Sequence, residues 1–368
     1  IMNNREDYSL ALIRKVINRN NLSSKETETL FSDIFLNDKK GYFFTSLITA
    51  LHTKGETADE LFGFCNSTKK LGEKITPNIP IQNITDLSGT GGSLIKTINI
   101  STAASFIVSS AGYSVAKQAG YAVTSPTGSG DIFQAFGINT FALNPSIISN
   151  TLEKVGICPI FLSAISPKLK NRSLIAKKVF VENDLRIPSL FHLAAFAYSP
   201  TPLKKRIYGC FSERYLDTLA ELFQKLGNEK TYIIHGVGGI PEVSVIGKTI
   251  VIEQNNNKMI RKEYSPEDFG MPSYPVDSIR TGGKEQNIIE FLRIIHNLEK
   301  GAKKDMIIAN AALSLQVMGK VNNPLDGARL ALEILQEGLA ANKLKSLITS
   351  LGDLDLYHNW LLKAGISK

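Results

Sequence analysis

The chain has 368 residues, of which 43% are hydrophobic and 21% charged, with a formal net charge of +8. That length allows two cores, the balance is ordinary for a globular protein, and no apolar run reaches the length of a membrane span. Three cysteines at long spacings and five histidines without a His-x-x-x-His or Cys-x-x-Cys grouping argue against a disulfide framework or a zinc site.

The opening residues lack the apolar stretch of a signal peptide, so a cytoplasmic protein is expected. "DYSLALIRKVINR" then carries apolar residues at helical spacing. Ser23 with Glu26, and Thr57 with Glu60, form capping-box patterns ahead of helical runs, and Gly55 reads as a helix stop. "KITPNIPIQN", with two prolines and little periodicity, reads as a linker. Beyond it, short β-rich runs ("ITDL", "SVAK", "ICPIFL", "TYIIHG", "TIVIEQ") alternate with helical stretches ("SLIAKKVFVEND", "EQNIIEFLRIIHNLEKG", "ANAALSLQVMG"). Such alternation predicts an α/β domain with a central, mostly parallel sheet. The densest basic stretches, "SPKLKNR" ending at Arg172 and "LKKR" ending at Arg206, read as solvated faces and are not interleaved with aromatics. The excess positive charge favours an anionic partner: a phosphorylated metabolite, nucleic acid or an acidic protein.

The chemistry begins at Asp86. Gly89, Gly91 and Gly92 follow the strand "ITDL", and glycines there let backbone N–H groups approach an anion without a Cβ in the way. Asn99, Ile100, Ser101 and Thr102 open the next helix, whose free amides and positive end favour phosphate, with two hydroxyls as further donors. The loop is neither a Walker loop nor a dinucleotide fingerprint, since no Gly-Lys-Ser/Thr and no third glycine follow. Lys117 ends the next strand and can set a point charge on a phosphate. "TSPTGSGD", from Thr124 to Asp131, adds Ser125 and Ser129 and more glycine. Two hydroxyl-rich glycine loops and a lysine fit a ligand with two phosphate groups.

These residues resemble the anthranilate phosphoribosyltransferase family, which reads Gly-Thr-Gly-Gly-Asp-Gly, then Asn-Ile-Ser-Thr, then Lys-His-Gly-Asn-Arg, then Gly-Ser-Ala-Asp. Here stand Gly89 to Gly92, Asn99 to Thr102, Lys117, and Gly128-Ser129-Gly130-Asp131. "FLSAISPKLK", "FHLAAFAYSP", "HGVGGIPEVS", "SPEDFGM" and "ANAAL" continue the likeness over nearly the whole chain. The resemblance implies a small helical domain over 1–75, joined by a segment near 165–188, and a large α/β domain over 76–368. It implies a homodimer that transfers the phosphoribosyl group of phosphoribosyl pyrophosphate to anthranilate or a related aromatic amine in tryptophan biosynthesis, with magnesium. Gly89, Gly92, Ser93, Thr97, Asn99, Ser101, Thr102, Lys117, Thr124, Ser125 and Ser129 would hold the donor. Ser101 and Glu242 would hold one magnesium, and Gly89, Gly120, Tyr121 and Ser166 would border the acceptor.

The departures concentrate in two places. Ser93 and Pro241 stand where the family carries acids, which puts a second magnesium in doubt because a proline side chain offers no ligand. On the acceptor side Gly120 replaces an asparagine and Ser166 a histidine, and the family's carboxylate-binding arginine falls near Ala176 or Glu182. Arg172, Lys177, Lys178 and Arg186 are the basic residues that could replace it. Three readings stay open: transfer to anthranilate, transfer to a less anionic acceptor, or a non-catalytic relative that binds a phosphate ligand or nucleic acid.

Overall fold

The structure, a computed structural model, describes residues 4–120, 127–184 and 188–367. It opens with four helices: α1 (Asn4–Ile17), α2 (Ser24–Asn37), α3 (Tyr42–Lys54) and α4 (Ala58–Leu71). Both predicted capping boxes are formed at α2 and α4, and Gly55 closes α3. The caps satisfy amides that the first turn leaves open. The apolar faces meet in an aromatic cluster, where Phe31 and Phe64 lie edge to face at 5.0 Å. This core continues through Leu169, Ile175, Phe180 and Leu190, far along the chain.

The strands form two sheets. One is parallel throughout, in the order β1 (Ile84–Thr85), β3 (Ser114–Gln118), β4 (Ile157–Ile160). The other runs β2 (Leu87–Gly89), β5 (Lys205–Gly209), β6 (Lys230–Gly236), β7 (Thr249–Asn255), β8 (Lys258–Tyr264), parallel as far as β6 and antiparallel beyond. The predicted parallel pairing holds, but the single central sheet is divided where the chain steps from β1 to β2 at Asp86. The Asp86 carboxylate bridges the step. One oxygen accepts from the Gln118 amide of β3 at 3.3 Å, the other from Arg206 of β5 at 2.8 Å.

Between and after the strands lie α5 (Ile100–Ser110), α6 (Ser129–Ala135), α7 (Pro145–Val155), α8 (Leu162–Ile165), α9 (Lys170–Ala176), α10 (Leu190–Ala194), α11 (Leu216–Lys225) and α12 (Lys284–Ile295). The chain closes with α13 (Ala302–Met318), α14 (Pro324–Gln336), α15 (Leu339–Leu351) and α16 (Leu354–Lys363). The helix expected over "SLIAKKVFVEND" is α9 followed by a π-helical turn, Lys177–Glu182. β5 and β8 were not predicted. The basic stretch "LKKR" is no solvated face: it enters β5, with Arg206 1% exposed. Arg172, at the end of the other basic stretch, is likewise buried. No helix among the described residues is long and apolar enough to cross a membrane.

Candidate active site

A cavity of about 1040 Å³ lies where these elements converge. One part of its lining comes from residues between 88 and 120 and from 127–129, together with Pro241 and Glu242, the other from residues between 160 and 196, with Phe141 beside them. The two parts touch at Gly120, where a Cβ would come within 3.0 Å of the Phe196 ring.

The glycine loop explains its own composition. Gly91 and Gly92 are left-handed, at φ +62° and +78°, a region that side chains disfavour. Gly89 faces Gly209 of β5, and a Cβ on Gly89 would sit 2.7 Å from the Gly209 carbonyl oxygen. On Gly209, in turn, a Cβ would fall 1.6 Å from the Pro241 carbonyl oxygen. Three backbone segments therefore stack without side chains between them, which brings Glu242 alongside the loop. Asn310 of α13 fixes the same turn: its amide donates to the Val243 carbonyl at 3.0 Å and accepts from the Val243 N–H at 2.9 Å.

Gly89, Gly92, Ser93, Thr97, Asn99, Ser101, Thr102, Lys117, Gly120, Ser129 and Glu242 all line the cavity. The two loops approach each other through Asn99, whose Nδ2 donates to the Thr127 carbonyl at 3.2 Å. Ser129 accepts from the Gly120 N–H at 3.1 Å, leaving its own proton free to point elsewhere. Tyr121, Thr124 and Ser125 lie outside the described residues. Ser166 is a correction: it is 0% exposed and does not reach the cavity, and its hydroxyl accepts from the Glu73 N–H at 2.8 Å.

Lys117 is buried at the end of β3, where Nζ donates to the Leu87 carbonyl and, at 3.3 Å, to Ser101 Oγ. Burial pulls its pKa down, while Asp86 and Glu242 hold it up. Glu242 carries the opposite strain. Burial raises its carboxyl to about 7 against the pull of Lys117, and Oε2 is sealed from solvent without a hydrogen-bond partner. The orphaned Glu242 oxygen, with the Ser101 hydroxyl on the lining of the same cavity, fits one magnesium held by Glu242 and Ser101, completed by water and diphosphate oxygens as that ion prefers. Ser93 and Pro241 supply no carboxylate, and Ser93 Oγ is turned to the Ile95 carbonyl at 2.8 Å. Among the described residues, no three His, Cys, Asp or Glu side chains group as a metal site.

The opposite lining is aromatic: Phe180 from the π-helical turn, Phe191 and His192 from α10, and Phe196. His192 packs edge-on to Phe180 at 4.6 Å. Burial pushes its pKa down to about 4, so the ring is neutral, and Nδ1 accepts from the Ser189 N–H at 3.3 Å. The proton therefore resides on Nε2. Sequence reasoning missed Gly209 and Asn310, and it missed the pairing of Asp86 with Arg206; these residues hold the site from behind. Only "ANAAL" had carried a signal, and it gave no hint of the contact to Val243.

The glycosyl transferase family, helical bundle domain, matches residues 10–70, and the glycosyl transferase family, a/b domain, matches residues 81–341. Anthranilate phosphoribosyltransferase of Petrotoga mobilis is 33% identical over 345 residues, 94% of this chain and 97% of its own. The chain belongs to the anthranilate phosphoribosyltransferase family. The enzyme of that name from Methanosarcina mazei is 33% identical over 341 residues, 93% of this chain and 89% of its own. Among solved structures, the Thermus thermophilus family member superposes with a TM-score of 0.82 at 24% identity, covering 92% of this chain and 98% of that one. The Saccharomyces cerevisiae member, in complex with PRPP and Mg, gives 0.81 at 23% identity over 94% and 98%. At these identities the superpositions speak for the fold, a helical domain on a large α/β domain, and the sequence relatives speak for the family.

Proposed function

We propose that this protein transfers the phosphoribosyl group of phosphoribosyl pyrophosphate to anthranilate, with loss of pyrophosphate, as a pentosyltransferase of tryptophan biosynthesis. The observation that carries the reading is the single cavity that unites both glycine loops, Lys117 and Glu242. The donor residues are those of the cavity's first lining: Gly89, Gly92, Ser93, Thr97, Asn99, Ser101, Thr102, Lys117 and Ser129, with Thr124 and Ser125 on the neighbouring segment.

The amine attacks C1 of the ribose while pyrophosphate departs, so positive charge grows on the sugar and negative charge on the leaving group. Backbone amides of the glycine loop, the open N-terminus of α5 and Lys117 face that negative charge without needing to reorganise. Bound magnesium supplies charge neutralisation at the diphosphate. The aromatic lining excludes water and holds the acceptor ring, so the rest of the catalysis is orientation. The residues favour one magnesium rather than two.

The reading includes a helical domain over 1–75, joined by the segment near 165–188, and an α/β domain over 76–368. In its support, Asn171 donates to the Phe35 carbonyl at 3.0 Å, and Ile175 and Val179 pack on Gly41. It also includes cytoplasmic residence and a homodimer, for which exposed Tyr8, Ile17 and Tyr42 of α1 and α3 offer apolar surface. Calorimetry with phosphoribosyl pyrophosphate and magnesium should give a saturable binding heat. Anthranilate fluorescence should decay only when donor, magnesium and protein are all present. A silent titration at millimolar donor would dispose of the transferase reading.

A further inference from the structure

The two linings of the cavity belong to different bodies. The aromatic wall is packed on the N-terminal helices: Phe44 of α3 lies edge to face with Phe180 at 6.0 Å and with Phe191 at 5.6 Å, and Phe64 of α4 meets Phe191 in the same way at 6.0 Å. The glycine loop and Lys117 belong to the α/β domain. Transfer across the cavity needs the reacting atoms within roughly 3–3.5 Å of each other, so the separation of the two bodies bears on the rate.

A buried polar cluster ties the bodies together behind the glycine loop. Glu56, in the turn between α3 and α4, has a side chain that is 0% exposed. Its Oε2 accepts from the Tyr215 hydroxyl at 3.1 Å, and its Oε1 lies 3.3 Å from His52 Nδ1, which is 3.4 Å from the same hydroxyl. Tyr215 is buried at the end of a 3-10 turn, Glu213–Tyr215, between β5 and α11. Burial, with the Glu56 charge beside it, pushes the phenol far above its usual range, so the hydroxyl stays a donor. The Tyr215 ring packs at 5.8 Å on Phe211, which backs the glycine loop. The Phe211 N–H donates to Thr90 Oγ1 at 3.0 Å, and its side chain lies 3.5 Å from where a Cβ on Gly92 would stand. A carboxylate so deeply placed is costly once it loses a donor, so Glu56 and Tyr215 stay together. The neighbouring ion pair of Asp59 with Lys225, at 3.0 Å, is exposed and holds the bodies weakly.

We propose that Tyr215 is a positioning residue for the transfer: through its bond to Glu56 it holds the glycine loop at a fixed distance from the aromatic wall, and so sets the approach of the amine to C1 of the donor. This rests on the transferase reading and adds to it a residue that does not line the cavity. Tyr215 acts through Phe211 on one side and Glu56 on the other, so its effect falls on the rate and not on the affinity of either substrate.

The test is a set of variants assayed with phosphoribosyl pyrophosphate, magnesium and anthranilate, with donor binding read by calorimetry and stability by urea denaturation. Tyr215→Phe keeps the ring on Phe211 and removes only the hydroxyl. Its kcat should fall about tenfold or more, while the anthranilate KM and the donor affinity stay within about threefold. Glu56→Gln, whose amide oxygen still accepts from the phenol, should retain most of kcat. Tyr215→Phe strands one oxygen of Glu56, so adding Glu56→Met, which makes both sides apolar, should recover stability. That double variant should nonetheless stay as slow as Tyr215→Phe. Stability regained without rate separates positioning from a structural role, and the double variant serves if the single one folds poorly. A native kcat in Tyr215→Phe, or a double variant that regains stability and rate together, overturns the inference and leaves the transferase reading intact. So does a loss in Tyr215→Phe that lies wholly in donor affinity, which would assign the hydroxyl to the shape of the loop alone. A native protein that binds no donor overturns the transferase reading itself, and the inference with it.

Discussion

Lys117, which is buried, and Glu242, half-buried with one carboxylate oxygen sealed from solvent, are ionisable groups of opposite sign on the wall of one cavity, and desolvation moves each pKa toward neutrality. For Glu242 the folded value of about 7 lies above the ordinary glutamate value of 4.5. The folded state then holds a proton that the unfolded state has lost, so stability falls as pH rises between those values. Without ligands the protein should melt lower at pH 8 than at pH 6 by the share that belongs to this carboxylate. Magnesium with donor should raise the melting temperature more at pH 8, where the ionised carboxylate gains its counter-ion. Glu242→Gln should flatten both trends, and a native protein whose ligand-induced shift is the same at the two pH values would contradict the assignment. Lys117→Met removes a buried cation without emptying its place. Calorimetry should find donor affinity reduced at least tenfold, while the ligand-free melting temperature holds or rises.

At the scale of elements, the site depends on backbone contacts that admit no side chain. Gly209→Ala would thrust a methyl into the Pro241 carbonyl, 1.6 Å away. Relief requires the turn carrying Glu242 to move. The expected loss is about 3 kcal/mol or more of stability, read from urea midpoints, together with magnesium-dependent donor binding. By contrast, Thr57→Ala removes only a cap, which accepts from the Glu60 N–H at 3.3 Å, and should cost about 1 kcal/mol with no change in donor affinity. The contrast shows what a sequence discloses at this scale. Caps, helix stops and the strand–helix alternation are local, and each was legible from a few neighbouring letters. The reason Gly209 is glycine lies at Pro241, across a strand and a turn, and no local pattern announces it.

For the whole molecule, the decisive contacts span long stretches of chain. Arg206 pairs with Asp86 across 120 positions at 2.8 Å, and also donates to Ser88 and to the carbonyls of Phe196 and Ala197. One guanidinium thereby links the strand before the glycine loop to the segment that carries the aromatic wall. Arg206→Met should cost about 3–5 kcal/mol by stranding Asp86, and adding Asp86→Leu should recover part of that loss in urea denaturation. Both buried arginines sat in basic runs that read as solvated faces. A charge in a sequence looks like surface unless its distant partner, or the ligand that stands in for one, is known. The donor grip was legible because its glycines and hydroxyls are clustered. The acceptor wall was less so, because Phe180 and His192 are ordinary helix residues until the fold assembles them, and Arg172 stood only as one of four basic candidates near them.

The stacking of Gly89, Gly209 and Pro241 also orders events in time. The loop proposed to grip the donor is built in the first third of the chain, but its seat is synthesised well over a hundred residues later. At a ribosomal pace of roughly 5–20 residues per second, the emerging N-terminal half waits several seconds without a functional pocket. Substrate can therefore stabilise the finished protein but cannot help the nascent one, and truncations that end before the Pro241 turn should be folding intermediates blind to their ligand.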